Sequence, residues 1–159
     1  MLQDADRADW PLWLAAHGVP DDPRAERGTA FEDDYLLIVP GSPADVQRVG
    51  CIFAIADGMG GVAGGAEASR AALRAFGAAM AASDAGADRA DRLRESFDAA
   101  SERLHVLAAE TAAHADMGTT LTALILDGGD RVWIGHVGDT RCLRIRRGEL
   151  EQLTQDHAM

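Results

Sequence analysis

Cys51-Ile52-Phe53-Ala54-Ile55-Ala56-Asp57-Gly58-Met59-Gly60-Gly61-Val62-Ala63-Gly64-Gly65-Ala66-Glu67-Ala68-Ser69 decides how this chain is read. Cys51–Ala56 is a near-continuous apolar run of strand length, which predicts a strand buried on both faces. The run ends in the carboxylate of Asp57. Five glycines follow within eight residues and let the main chain approach a ligand closely. Ala66–Ala82 then has helix composition. Ala68, Ala72, Ala75 and Ala79 share one face, with Leu73, Phe76 and Met80 beside it. A carboxylate at the mouth of a sheet needs a partner. With no Lys in the chain and no Arg between Arg48 and Arg70, a metal ion is the favoured one.

Working outward, Tyr35–Val39 reads as a strand closed by Pro40-Gly41-Ser42-Pro43. Downstream, Asp84–Asp88 is a polar break. Arg89–His114 reads as a second long helix, striped by Leu93, Phe97, Ala100, Leu104, Leu107 and Thr111. Thr119–Leu126, Val132–Val137 and Cys142–Ile145 read as three strands, with turns at Gly128-Gly129 and Arg147-Gly148. Leu150–Met159 reads as a polar tail. Helices followed by a strand meander predict an α+β fold on an antiparallel sheet. Residues 1–28 read as an extension anchored by Trp10, Trp13 and Leu14, ahead of one domain over 29–159.

Two nucleotide readings fail. Gly58-x-Gly60-x-x-Ala63 fits a loose dinucleotide fingerprint, but no strand follows its helix, so the βαβ unit is missing. The phosphate-loop pattern lacks its Lys. The 159 residues carry a net charge of −11, and all 15 basic residues are Arg. That balance argues against nucleic acid and anionic membranes as partners. No apolar run approaches the ~20 residues that span a bilayer, and no secretory signal opens the chain. Cys51 and Cys142 read as free buried thiols, and the expected location is the cytoplasm.

Acidic residues mark the candidate chemistry. Glu32-Asp33-Asp34 precedes the first strand, where neighbouring side chains point to opposite faces. Asp139 sits in Gly135-His136-Val137-Gly138-Asp139-Thr140-Arg141, a stretch that also fits a plain hairpin turn. His105, His114, His136 and His157 lack zinc spacing. Carboxylates at strand ends without a His or Cys cluster describe a hard-cation site suited to Mg²⁺ or Mn²⁺.

Asp57-Gly58-Met59-Gly60-Gly61 followed by Gly65-x-Glu67-Ala68-Ser69 resembles the signature of the metal-dependent serine/threonine protein phosphatases of type 2C, in their bacterial form. Met117-Gly118-Thr119-Thr120, Val137-Gly138-Asp139-Thr140-Arg141 and Gln152-Leu153-Thr154-Gln155-Asp156-His157 resemble that family's later motifs, in order. The resemblance implies an antiparallel β-sandwich flanked by helices, a four-layer α-β-β-α arrangement, around two or three Mn²⁺ or Mg²⁺ ions. It implies that Asp57 bridges two ions and that the Gly58 carbonyl binds one. Glu32 and Asp33 would serve one at a metal and the other on metal-bound water, and Asp139 would help hold a third ion. Hydrolysis of phosphoserine and phosphothreonine in proteins is implied, opposite serine/threonine kinases, by a metal-activated water with no covalent phosphoenzyme.

The sequence also departs from the family pattern. Phe31 stands where the family has Asn, and Met59 where eukaryotic members carry a His. The phosphate-contacting Arg would be Arg27, one place early. Family members continue past the position of His157 and there supply two more Asp ligands. The expectation is therefore an amino-terminal portion of the domain, incomplete at its C-terminus, that binds metal weakly and has little or no activity. A catalytically dead module that binds phosphoproteins or a kinase is the alternative.

Overall fold

The structure, a computed structural model, describes residues 32–110 and 116–157, with the side chains of residues 61–63 excepted. The predicted 1–28 extension, Arg27, Phe31, Thr111 and His114 lie outside the described residues.

The elements run β1 (Asp33–Ile38), α1 (Pro43–Val49), β2 (Cys51–Met59), α2 (Gly61–Ala82), α3 (Arg89–Glu110), β3 (Gly118–Thr119), β4 (Leu121–Leu126), β5 (Val132–Val137), β6 (Leu143–Arg146) and β7 (Glu149–Gln152). One antiparallel sheet has the order β1-β2-β4-β5, with β3 pairing the far end of β2. A separate hairpin pairs β6 with β7. The predicted α+β class holds. The described residues supply a helix layer, a five-stranded sheet and this hairpin.

The core lies between the helices and one face of the sheet. Ile52, Ala54 and Ala56 of β2 and Leu121, Ala123 and Ile125 of β4 meet Ala72, Leu73, Phe76 and Met80 of α2 and Leu93 and Ala100 of α3. Phe76 and Phe97 pack edge to face, 5.6 Å between centroids, and join the two helices. Both predicted helical stripes therefore face inward.

Four expectations need correction. Cys51–Ala56 is buried on one face only; Ile55 is 46% exposed and its neighbour Tyr35 is 54% exposed. The strand runs on through Asp57 to Met59, and the helix begins at Gly61 rather than Ala66. Residues 43–49 form α1 instead of a plain turn. Ser42 caps it by accepting from the Asp45 amide at 3.2 Å, and Pro43 stands in its first turn. The polar tail contains β7, which closes a hairpin on Arg147 and Gly148, both at positive φ.

Cys51 and Cys142 are free, as expected, but each is only part-buried. Desolvation pushes both thiols above their ordinary range.

Arg92 is 2% exposed at the junction of three elements. It donates from Nε to Ser83 Oγ at 2.8 Å, from Nη1 to the Val49 carbonyl at 3.2 Å and from Nη2 to the Met80 carbonyl at 3.3 Å. Those acceptors belong to the C-terminal ends of α1 and α2, where helix dipoles favour a cation. Burial, then the nearby Arg89 charge, pulls its pKa down.

Candidate functional site: a carboxylate pair at the end of β2

The site begins with register. In the antiparallel β1–β2 ladder Asp33 stands opposite Asp57, Tyr35 opposite Ile55 and Leu37 opposite Phe53. Side chains alternate along a strand, and the buried set is Ile52, Ala54 and Ala56. Asp33 and Asp57 therefore share the face turned away from the helices. Asp33 is near enough for its carboxyl group to raise the pKa of Asp57. Two ionised carboxylates side by side repel each other, and a cation between them relieves that repulsion.

The Asp57 carboxyl is raised above its ordinary range. Desolvation is the leading cause, followed by the nearby Asp33 carboxyl and the negative charges of Asp139 and Glu32. Among the described residues, every side chain that shifts it is another acid. The structure thus brings three predicted acids within electrostatic reach of Asp57, with Asp33 directly opposite it in the ladder. It does not close them into a finished cage: among the described residues, no group of three or more His, Cys, Asp or Glu side chains is arranged to hold a metal ion. Asp34 takes no part. Its carboxylate accepts from the adjacent Tyr35 amide at 2.9 Å.

Gly58 is held by backbone. Its amide donates to the Glu32 carbonyl at 3.0 Å, and a Cβ there would fall onto the Gly65 carbonyl. A Cβ on Gly65 would lie 2.9 Å from the Gly58 carbonyl oxygen and 3.1 Å from the Glu32 carboxyl carbon. The missing side chain at Gly65 leaves room for that carbonyl and that carboxyl to approach the same point. This cradle, with the acids beside it, is an oxygen donor set without sulfur or nitrogen. It fits a divalent hard cation such as Mn²⁺ or Mg²⁺.

Asp139 follows β5 in a connection that leaves the large sheet for the β6–β7 hairpin, so it is not a hairpin turn between paired strands. Arg141, two residues on, forks onto Asp156, with Nε 3.0 Å from both carboxylate oxygens.

Three hydroxyl residues escaped the sequence reading. Thr120 Oγ1 accepts from the Asp57 amide at 3.0 Å, and the Thr119 hydroxyl and Thr120 amide both donate to the Asp57 carbonyl at 2.9 Å. Thr140 Oγ1 lies 2.7 Å from Thr120 Oγ1. Their only sequence signal was a place inside the Met117–Thr120 and Val137–Arg141 motifs.

Comparison with known proteins places this arrangement. Residues 24–159 match the family model described as Protein phosphatase 2C. The serine/threonine protein phosphatase PstP of Mycobacterium tuberculosis is 39% identical over 130 residues, covering 80% of this chain and 24% of PstP. Protein phosphatase PhpP of Streptococcus pneumoniae is 34% identical over 119 residues, covering 72% of this chain and 47% of PhpP. The chain therefore spans less than half the length of these curated relatives. Among solved structures, the catalytic domain of PstP in complex with two manganese ions superposes with a TM-score of 0.60 at 29% identity, over 78% of this chain and 56% of that one. Phosphatase Stp1 from Staphylococcus aureus superposes with a TM-score of 0.66 at 25% identity, over 80% and 48%. Shared motifs, shared sheet and the match over residues 24–159 lead to one conclusion: the chain belongs to the protein phosphatase 2C family.

Proposed function

We propose that this chain provides the carboxylate half-site of a phosphatase that hydrolyses phosphoserine and phosphothreonine in proteins with Mn²⁺ or Mg²⁺. One observation carries the reading. Asp57 and Asp33 stand opposite each other on one sheet face, with the charges of Asp33, Asp139 and Glu32 raising the Asp57 carboxyl. Such a cluster is costly alone and becomes favourable around a divalent cation. In this reading Asp57, Asp33, Glu32, Asp139 and the Gly58 carbonyl hold two or three ions. Bound cations of this kind lower the pKa of a coordinated water and clamp phosphoryl oxygens.

The chain's own residues do the rest. Asp57 is fixed at its backbone by Thr119 and Thr120, so its carboxylate has little freedom to lose on binding. Asp33, opposite Asp57 in the ladder, serves as hydrogen-bond acceptor for an attacking water. Arg27, outside the described residues, is the proposed phosphate contact. Serine/threonine kinase substrates are the proposed partners and the cytoplasm the proposed location. Among the described residues no helix is long and apolar enough to cross a membrane.

The test is Mn²⁺ titration of the 159-residue chain by calorimetry, with p-nitrophenyl phosphate turnover measured alongside. Asp57→Asn is expected to weaken Mn²⁺ binding at least tenfold and to remove any Mn²⁺-stimulated turnover. Equal Mn²⁺ affinity in the two proteins overturns the reading. Phosphopeptide binding without Mn²⁺ and without hydrolysis replaces it with a phosphoprotein-binding module.

A further inference from the structure

Asp57 and Asp139 come from different segments, and a single buried threonine bridges the Asp57 backbone and the two residues that flank Asp139. Thr120 is 1% exposed. Its hydroxyl accepts from the Asp57 amide at 3.0 Å and shares a proton with Thr140 Oγ1 at 2.7 Å. On the other side of Asp139, Gly138 adopts φ 107°, and a Cβ there would lie 2.6 Å from Thr120 Cγ2. Thr120 thus meets the residue before Asp139 through its methyl group and the residue after it through its hydroxyl.

The clasp has further supports. Thr122 Oγ1 donates to the Thr140 carbonyl at 3.1 Å and lies 2.8 Å from His136 Nδ1. Because the Thr122 proton goes to that carbonyl, His136 Nδ1 is the donor to Thr122. His157 grips Gly138 from outside, its amide donating to the Gly138 carbonyl at 2.8 Å and its Nδ1 accepting from the Gly138 amide at 3.3 Å.

We propose that Thr120 is a positioning residue whose one hydroxyl sets the spacing between Asp57 and the turn that carries Asp139. The role in cation binding rests on the function proposed above; the clasp itself does not. Without the hydroxyl, the Asp57 amide loses its acceptor and the turn loses its link to β2. The two carboxylates then drift independently and bind a shared charge less well.

The experiment compares Thr120→Val, which keeps the shape and removes the hydroxyl, with Thr120→Ser, which restores the hydroxyl. Both are made in the 159-residue chain. Mn²⁺ affinity is read by calorimetry, and amide hydrogen exchange by NMR without metal. Thr120→Val is expected to weaken Mn²⁺ binding about tenfold, with Thr120→Ser recovering most of the loss. It is also expected to speed exchange of the Asp57 amide about fivefold relative to Thr120→Ser. Unchanged Mn²⁺ affinity in Thr120→Val overturns the proposal, as does Thr120→Ser binding as poorly as Thr120→Val. A wild-type chain that binds no Mn²⁺ overturns the function instead; the exchange rates then decide the clasp, and equal Asp57 rates sink it. Should Thr120→Val unfold, Thr140→Ala removes the other end of the bond at a half-buried position. It must show the same pair of losses, and wild-type behaviour in both readouts refutes the clasp.

Discussion

Arg92 and the Asp33–Asp57 pair are two answers to the same electrostatic problem. Neither has an opposite charge in contact among the described residues, but Arg92 is buried whereas both aspartates are exposed. Arg92 is resolved internally, by one hydroxyl and two carbonyls at helix ends. The aspartates are not resolved: the partner of Asp57 is another acid, and two more acids raise its pKa. Charge with a structural task is satisfied by the fold. In the function proposed above, charge left in conflict is what a divalent cation would relieve.

The strongest way to break this comparison is at the acids. Asp57→Asn removes the conflict and the affinity together, so calorimetry should lose Mn²⁺ binding by tenfold or more. Next is Arg92. Arg92→Met removes three hydrogen bonds, although the Met80 carbonyl keeps the Ser83 hydroxyl, and should cost about 3 kcal/mol in urea unfolding, whereas Mn²⁺ affinity per folded molecule stays the same. Arg92→Lys, which keeps a charge but has a smaller set of donors, should fall between.

A pH titration sharpens the contrast without mutation. Asp57 has a folded pKa above its unfolded value, so between the two the native state holds more protons than the unfolded state. Metal-free stability should therefore decline as pH rises from the ordinary carboxylate range through the raised value. Asp57→Asn should flatten that decline, as read by thermal melts in chelator. Asp156 shows the opposite sign. The Arg141 hydrogen bond lowers its pKa, so its contribution is present above the ordinary value and disappears as pH falls through the lowered one. The pair is exposed at Arg141, so Asp156→Asn should cost little stability at neutral pH, the smallest of these effects.

Legibility in the sequence followed the range of the interaction. Both long helices were readable because their stripes repeat every three to four residues. The α1 helix was readable too, in Ser42, Pro43 and Asp45, but proline and glycine beside them also spell a turn. The short β7 was missed because Leu150 is its only apolar residue. The acids at 32, 33, 57 and 139 could be named from strand ends and a family likeness. That three of them gather around Asp57 could not, because it depends on which residue faces which across β1 and β2. Thr120 and Arg92 left almost no signal, since a hydroxyl or a guanidinium looks the same in sequence whether it is buried or wet.

By itself the sequence determined the periodic elements, the acidic character of the site and the family motifs, all of which follow from local composition and spacing. Tertiary structure alone decided that Asp33 meets Asp57, that β2 buries one face and that a threonine spans two carboxylate segments. Register and packing join residues dozens of positions apart, and no local pattern encodes the distance between them.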